Sequence, residues 1–191
     1  MSSRPDVLTP IHKGLELLMF DTAALLGRTD FTSAAEATRA EQEVRRCVAY
    51  LREHVDHEDR WLAPVLERLV PGLASTMVAE HAELERAETD ALSMCQRLGT
   101  AADGPARVEV GGELRRTFDL LLARQLRHMT WEERDVNAAL WGGLSDGEVL
   151  DLAARVVAAI GPAHMRDWDA LVLAASNPQE RQAHAQAAAE H

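Results

Sequence analysis

Four of the eight histidines in this chain are followed four residues later by a glutamate: His12 and Glu16, His54 and Glu58, His81 and Glu85, His128 and Glu132. With 18 glutamates among 191 residues, chance placement gives about 0.75 such pairs, so four is a real excess. Residues four apart lie on one face of a helix, one turn apart. Each of four helical segments carries one pair, so each can aim an imidazole and a carboxylate at a common point. A carboxylate in a dry core is costly unless something compensates its charge. A metal ion does so. Mixed imidazole and carboxylate donors suit iron, manganese or zinc, and seven or more ligands imply two ions.

The segments that must position these residues read as helices throughout. The first runs over about 8–27, with Thr9 as its cap, Pro10 at the first helical position and Gly27 as a stop. The second begins near Thr32 or Ser33 and runs to about 69. Pro64 predicts a kink or short break inside it, and Pro71-Gly72 its end. The third covers about 73–98. The glycine-rich stretch 99–112 reads as a long connection, and the fourth helix follows over about 112–140. Cys47, Tyr50, Leu51, His54, Glu58, Trp61 and Val65 keep a three/four step on the second helix. Leu121, Gln125, His128, Glu132 and Val136 do so on the fourth. The His/Glu pairs therefore lie in line with the apolar stripes. A capping box at Ser145 and Glu148 opens a fifth helix to about Ile160, and a sixth covers about 162–175. The expectation is an all-α protein, an antiparallel up-down four-helix bundle over 1–143. Residues 144–191 form a C-terminal helical extension packed on it within the same domain.

Composition narrows the function. A net charge of −11 with no basic stripe argues against nucleic acid and anionic membranes as partners. No apolar run approaches the length of a bilayer span. The N-terminus lacks the layout of a signal peptide. Cys47 and Cys95 make neither a CxxC motif nor a disulfide framework, and read as buried, reduced and inert. The expectation is a cytoplasmic protein, monomer or homodimer.

His12, HVDHE at 54–58, EHAELE at 80–85 and HMTWEE at 128–133, in that order on four helices, resemble the hemerythrin-like (HHE cation-binding) domains of bacterial type. The resemblance covers about residues 8–141. It is close around IHKGLELLMFDTAALLGR and HMTWEERDVNAALW. It implies a non-haem di-iron site, two iron ions with an oxo or hydroxo bridge, between four antiparallel helices; manganese and zinc are the other candidates. His12, His54, Glu58, His81 and His128 are the ligands carried over, with Glu58 a bridging carboxylate. The second bridging carboxylate is Glu132 by the four-residue spacing of many such domains. Hemerythrin's own five-residue spacing selects Glu133. Hemerythrin also has a second histidine one turn after its third-helix histidine, and this chain has Glu85 there. As a ligand, Glu85 raises the carboxylate share and stabilises the ferric state. That favours reduction of oxygen or peroxide, iron handling or sensing over oxygen carriage.

Other residues near these motifs read as supporting ones. Glu16 and His57 share faces with the ligands and suit structural or outer-layer roles. His164 sits in GPAHM, where the chain can fold back over the bundle mouth as a further ligand or gate. Tyr50, one turn before His54, can donate to a ligand carboxylate or a bound oxygen species. His184 and His191 lie in the polar tail and read as irrelevant. The function expected is binding or reduction of oxygen, peroxide or nitric oxide. The alternative is a metal-dependent redox or oxygen sensor, or a structural metal-binding bundle, acting through a protein partner.

Overall fold

The apolar stripes become helices that bury them against one another. The computed structural model describes residues 4–182, and all regular structure among them is helical. Helix α1 spans Thr9–Arg28, α2 Ala34–His57, α3 Ala63–Leu69, α4 Pro71–Gly99, α5 Gly104–Trp131, α6 Asn137–Gly143, α7 Asp146–Ala159 and α8 Pro162–Ala175. A π-helical turn over Glu58–Leu62 joins α2 to α3, and another over Glu132–Val136 joins α5 to α6. Helix α1 packs on α2 and α5, α4 packs on the same two, and α8 lies along α1. No helix among the described residues is long and apolar enough to cross a membrane.

Three boundaries differ from those read in the sequence, each for a local reason. The start of α1 is capped by Asp6, not Thr9: its carboxylate accepts the Leu8 and Thr9 N–H groups at 3.1 and 3.0 Å. Pro71 opens α4 instead of merely closing the helix before it, because a proline at the first turn lacks only an N–H that is unpaired there anyway. The glycine-rich 99–112 stretch is mostly helix. Asp103 accepts from the Ala106 N–H at 2.9 Å and Pro105 sits in the first turn, so α5 begins eight residues early. The Ser145–Glu148 capping box is present as expected.

The glycines inside α5 have a packing reason. A Cβ on Gly111 would fall 2.4 Å from the Phe31 ring, which is buried against the helix at that point. Glycine here costs helix propensity, about 1 kcal/mol relative to alanine, and in return lets the loop before α2 pack closely.

The core is divided into two. One apolar cluster holds Leu15, Leu51, Ala87, Phe118 and Leu121; the other holds Leu8, Leu62, Met77, Val136 and Leu140. Between them on α1 lies His12, on α2 and its π turn His54 and Glu58, on α4 His81, and on α5 and its π turn His128 and Glu132. All six are buried. Cys47 and Cys95 lie in the first cluster as free thiols, and burial pushes them up to about 12 and 11.

Gly111→Ala is expected to destabilise the protein by about 1–3 kcal/mol through overpacking against Phe31. Gly27→Ala, where nothing approaches a Cβ, is expected to be neutral or stabilising by up to about 1 kcal/mol. Thermal melts of the two variants beside the wild type check the pair. Equal shifts would remove the close packing as the reason for Gly111.

Candidate metal centre

The two π turns shape the polar layer. On α2 and its continuation positions 54, 58, 62 and 66 are buried; on α5 and its continuation 128, 132, 136 and 140 are, with Met129 and Asn137 beside them. Four residues of α-helix rotate by about 400°, so a repeated four-residue step drifts off one face by about 40° each time. A turn with one extra residue absorbs that drift. Each π turn begins at the glutamate of a His/Glu pair, so the acid stays in the layer and Leu62 or Val136 still reaches the core below. This corrects the stripe read in the sequence: Leu62 and Leu66 point inward, while Trp61 and Val65 are half-buried. Pro64, which has no N–H to give, lies just after the first π turn and accounts for it. No proline marks the second.

All four histidines of the layer aim Nε2 at the two carboxylates. Glu58 Oε1 lies 3.2 Å from His54 and 3.8 Å from His12; its other oxygen lies 3.5 Å from His81. Glu132 Oε2 lies 3.5 Å from His12, and its Oε1 lies 3.1 Å from His128 and 3.5 Å from His81. The donors thus fall into two groups, His12 with His54 and His81 with His128, and both groups contain Glu58 and Glu132. Within each group the donor atoms lie within 4.8 Å of one another. Each carboxylate turns one oxygen to each group, which is the disposition of a bridging ligand. Two donors about 2.1 Å from one ion are at most about 4.2 Å apart, and the His–Glu distances of 3.1 to 3.8 Å fit that limit.

The hydrogen bonding points the same way. Both oxygens of Glu58, both of Glu132, and Nε2 of His81 and of His128 are buried without a hydrogen-bond partner. Six orphaned polar atoms converging on one place would cost several kcal/mol. A cation is the group that satisfies all of them at once. The outward nitrogens of three of the histidines are engaged. His12 Nδ1 meets Glu133 at 3.0 Å, His81 Nδ1 meets Asp59 at 2.7 Å and His128 Nδ1 meets Glu80 at 2.8 Å. Such outer carboxylates fix the ring orientation and leave Nε2 free for a metal.

Electrostatics reflect this crowding. Burial pulls the His12 imidazolium down, but Glu133, Glu58 and Glu132 outweigh it and hold it at about 10. His81 is held at about 11 by Glu132 and Glu58 against the same burial, and His128 is raised by Glu132 and Glu80. His54, with burial dominant, falls to about 4. Burial opposes ionisation of Glu58 and Glu132 too, yet the surrounding imidazoles leave both below their ordinary value.

Of the candidate ligands, His12, His54, Glu58, His81, His128 and Glu132 come together. Glu85 does not. It is exposed, because the inward face of α4 continues from His81 to Leu84 and Glu88, a three- then four-residue step. The carboxylate share it would have added is absent, and with it the reason for a strongly ferric bias. Glu133 serves as the outer partner of His12. Glu16 is half-buried beside Glu133 and belongs to neither donor group. His57 stands 4.0 Å from Glu53. His164 does fold back, but onto Glu53 at 2.6 Å, far from a ligand role. Tyr50 packs against the rings of His164 and Trp168, not against the carboxylates. His184 and His191 lie outside the described residues. Sequence reasoning missed Asp59 and Glu80 as partners of His81 and His128. Both bonds cross between helices, so no local spacing announces them. It also missed Glu88, a buried acid held by Arg52 and Gln125 at 3.1 and 3.2 Å.

Compared with known proteins, the chain matches no protein-family model and no curated sequence.

The pKa directions set a pH dependence for the metal-stripped protein. His12 and His81 are raised above the ordinary 6.5, so the stability they contribute is complete below pH 6.5 and is lost as pH rises toward about 10 and 11. His54 is depressed, so its contribution is complete above pH 6.5 and is lost as pH falls toward about 4. Glu58 and Glu132, also depressed, lose theirs at still lower pH. The melting temperature of the stripped protein is therefore expected to peak near neutral pH and fall on both sides. Circular-dichroism melts from pH 4 to 10 check this, and a steady rise to pH 10 would contradict it.

Proposed function

We propose that this chain is a hemerythrin-like antiparallel four-helix bundle with a helical extension, holding two iron ions and handling oxygen, peroxide or nitric oxide. The observation that carries the reading is the sharing of Glu58 and Glu132 by two groups of buried histidines. His12 and His54 would hold one ion, His81 and His128 the other, and the two carboxylates would bridge them. Imidazole with carboxylate suits iron, and also manganese or zinc. When bound, an iron pair supplies one-electron redox steps and coordination positions for a small molecule.

The protein's own part is positional. Four histidines and two shared carboxylates give each ion four protein donors, which leaves room for a small ligand. Glu133, Asp59 and Glu80 hold three of the imidazoles in the tautomer that presents Nε2 inward. The apolar clusters above and below the layer exclude water, which strengthens every charge interaction inside it. Binding an ion displaces the protons held by His12 and His81, so uptake releases protons and strengthens with pH.

A second reading, a metal-dependent sensor acting through a protein partner, is favoured by one contact. Glu53, next to His54 in the chain, is held by His164 and by the Trp168 indole N–H at 3.2 Å, both on α8. A change at His54 is therefore linked to the C-terminal helices. Peroxide turnover supports the first reading. A change in shape on oxidation, without turnover, supports the second.

Elemental analysis after anaerobic iron loading is expected to give about two ions per chain, with near-ultraviolet absorption that the stripped protein lacks. His12→Ala should retain about one ion. Glu58→Gln should retain fewer than one, because it weakens both sites together. Two ions retained in Glu58→Gln would overturn the shared-carboxylate arrangement, and no uptake by the wild type would overturn the metal reading.

A further inference from the structure

The polar layer is not sealed on all sides. A cavity of about 370 Å³ opens beside it, with His54 and Glu58 in its lining. Its walls come from α1, α2, α7 and α8 and from the segment before α1. The sequence offered no motif for an organic ligand, and the cavity shows why. It is built from ordinary apolar positions on four helices, chiefly Ile11, Leu152, Val156, Ile160, Met165 and Trp168. Leu150 and Val157, at 57% and 49% exposed, also line it and carry the apolar surface outward into solvent.

We infer that this cavity binds a neutral, apolar organic molecule, with one end set against His54 and Glu58. The size is right: it falls in the range of small-molecule sites. An apolar cavity of about 150 Å³ takes benzene, so this one holds roughly fifteen non-hydrogen atoms. The lining decides the chemistry. Of its polar members, Asp6 is occupied by the Leu8 and Thr9 N–H groups and by Asn137, and His57 faces Glu53. The other thirteen lining residues are apolar or aromatic, so polar recognition is confined to a few positions. Asp6 and Glu58 would repel an anion, and the lining contains no Lys or Arg to attract one. Shape and apolar contact remain, so an aliphatic alcohol or a neutral aromatic fits and a fatty-acid anion does not. Binding in the cavity is independent of the metal; only its placement against an iron ion rests on the reading given above.

The test is a fluorescence titration of full-length protein with N-phenyl-1-naphthylamine, a neutral probe of the right size. Saturable binding at micromolar concentration is expected, with displacement by decanol at least tenfold more effective than by decanoate at pH 8. Ala153 lies on α7 and is not a donor of the centre, and Ala153→Trp fills the cavity from that side. It should weaken probe binding at least tenfold while iron per chain is unchanged. Ala153→Leu, which takes less space, should weaken it by a smaller factor, and serves if the larger side chain unfolds the protein. Non-saturable probe binding, Ala153 variants that bind like the wild type, or equal displacement by decanoate would each overturn the inference. Iron is measured on the same samples. Probe binding without iron uptake upholds the cavity and removes the metal reading; iron uptake without probe binding does the reverse. Bound iron should also quench the seated probe without changing its affinity, and unquenched emission would overturn the placement.

Discussion

Two glutamates buried in an apolar core, with no hydrogen bond to any of their four oxygens, set the terms for the rest of this molecule. A carboxylate in such a place either takes up a proton or faces compensating positive charge. Here the compensation is built in. Four imidazoles from four helices surround Glu58 and Glu132, and in the metal-free protein the protons on His12 and His81 balance them. A cation placed among the same atoms would do the same with fewer orphaned groups. The layer therefore has two ways of being neutral, and on the proposed reading metal uptake would exchange the one for the other, protons for metal.

Holding that layer in register takes effort from distant parts of the chain. His12 depends on where α1 begins. That start is fixed by Asp6, which also accepts from Asn137 at 3.0 Å, and by the Trp141 indole N–H donating to the Pro5 carbonyl at 2.8 Å. Arg4 reaches the carbonyls of Trp141 and Leu144 and the Asp146 carboxylate. The first and last parts of the layer are thereby tied together below it. Glu58 and Glu132 depend instead on the π turns that start with them, each of which corrects the rotation of its helix after an acid has been placed inward. The outer carboxylates then fix the rings. Each device matters, because a displaced imidazole takes compensating charge away from a buried carboxylate.

How much of this was legible in the sequence depends on how local the signal was. Of the eight residues in the four His/Glu spacings, six do come together, because a four-residue step keeps two side chains near one face of a helix. The same rule failed at Glu85. On α4 the inward face advances by three residues at that point, and only packing against the neighbouring helices decides between three and four. The helix before Gly111 was hidden by its glycines, and Gly111 is there to admit Phe31, a contact made across eighty residues of chain. Asp59 and Glu80 have no spacing that marks them as partners, and Glu133 was marked as a ligand, not as the outer partner of His12. They are acids on an acid-rich surface until the fold sets them beside a histidine. The π turn at Pro64 had a visible cause; the one at Glu132 had none, though the apolar step of four through Val136 and Leu140 is its trace.

The two histidine groups are alike in ligands but not in surroundings. Beyond His54 lies the apolar cavity walled by α7 and α8. Beyond His81 lies a cleft lined by Arg52, Asp56, Asp59 and Glu85. The asymmetry follows from the chain's length. A ring of four helices alone would leave the face at His54 open to water, and the final pair of helices covers it with leucine, valine, isoleucine and tryptophan. What reaches the centre from that side must cross an apolar space, which admits neutral molecules and excludes ions. On the other side, charged groups stand in solvent within hydrogen-bonding reach of the His81 ring. The His/Glu layer is thus flanked by charged groups on one side and by apolar ones on the other. Because Glu58 and Glu132 belong to both groups, any difference between the flanks is felt across the whole centre.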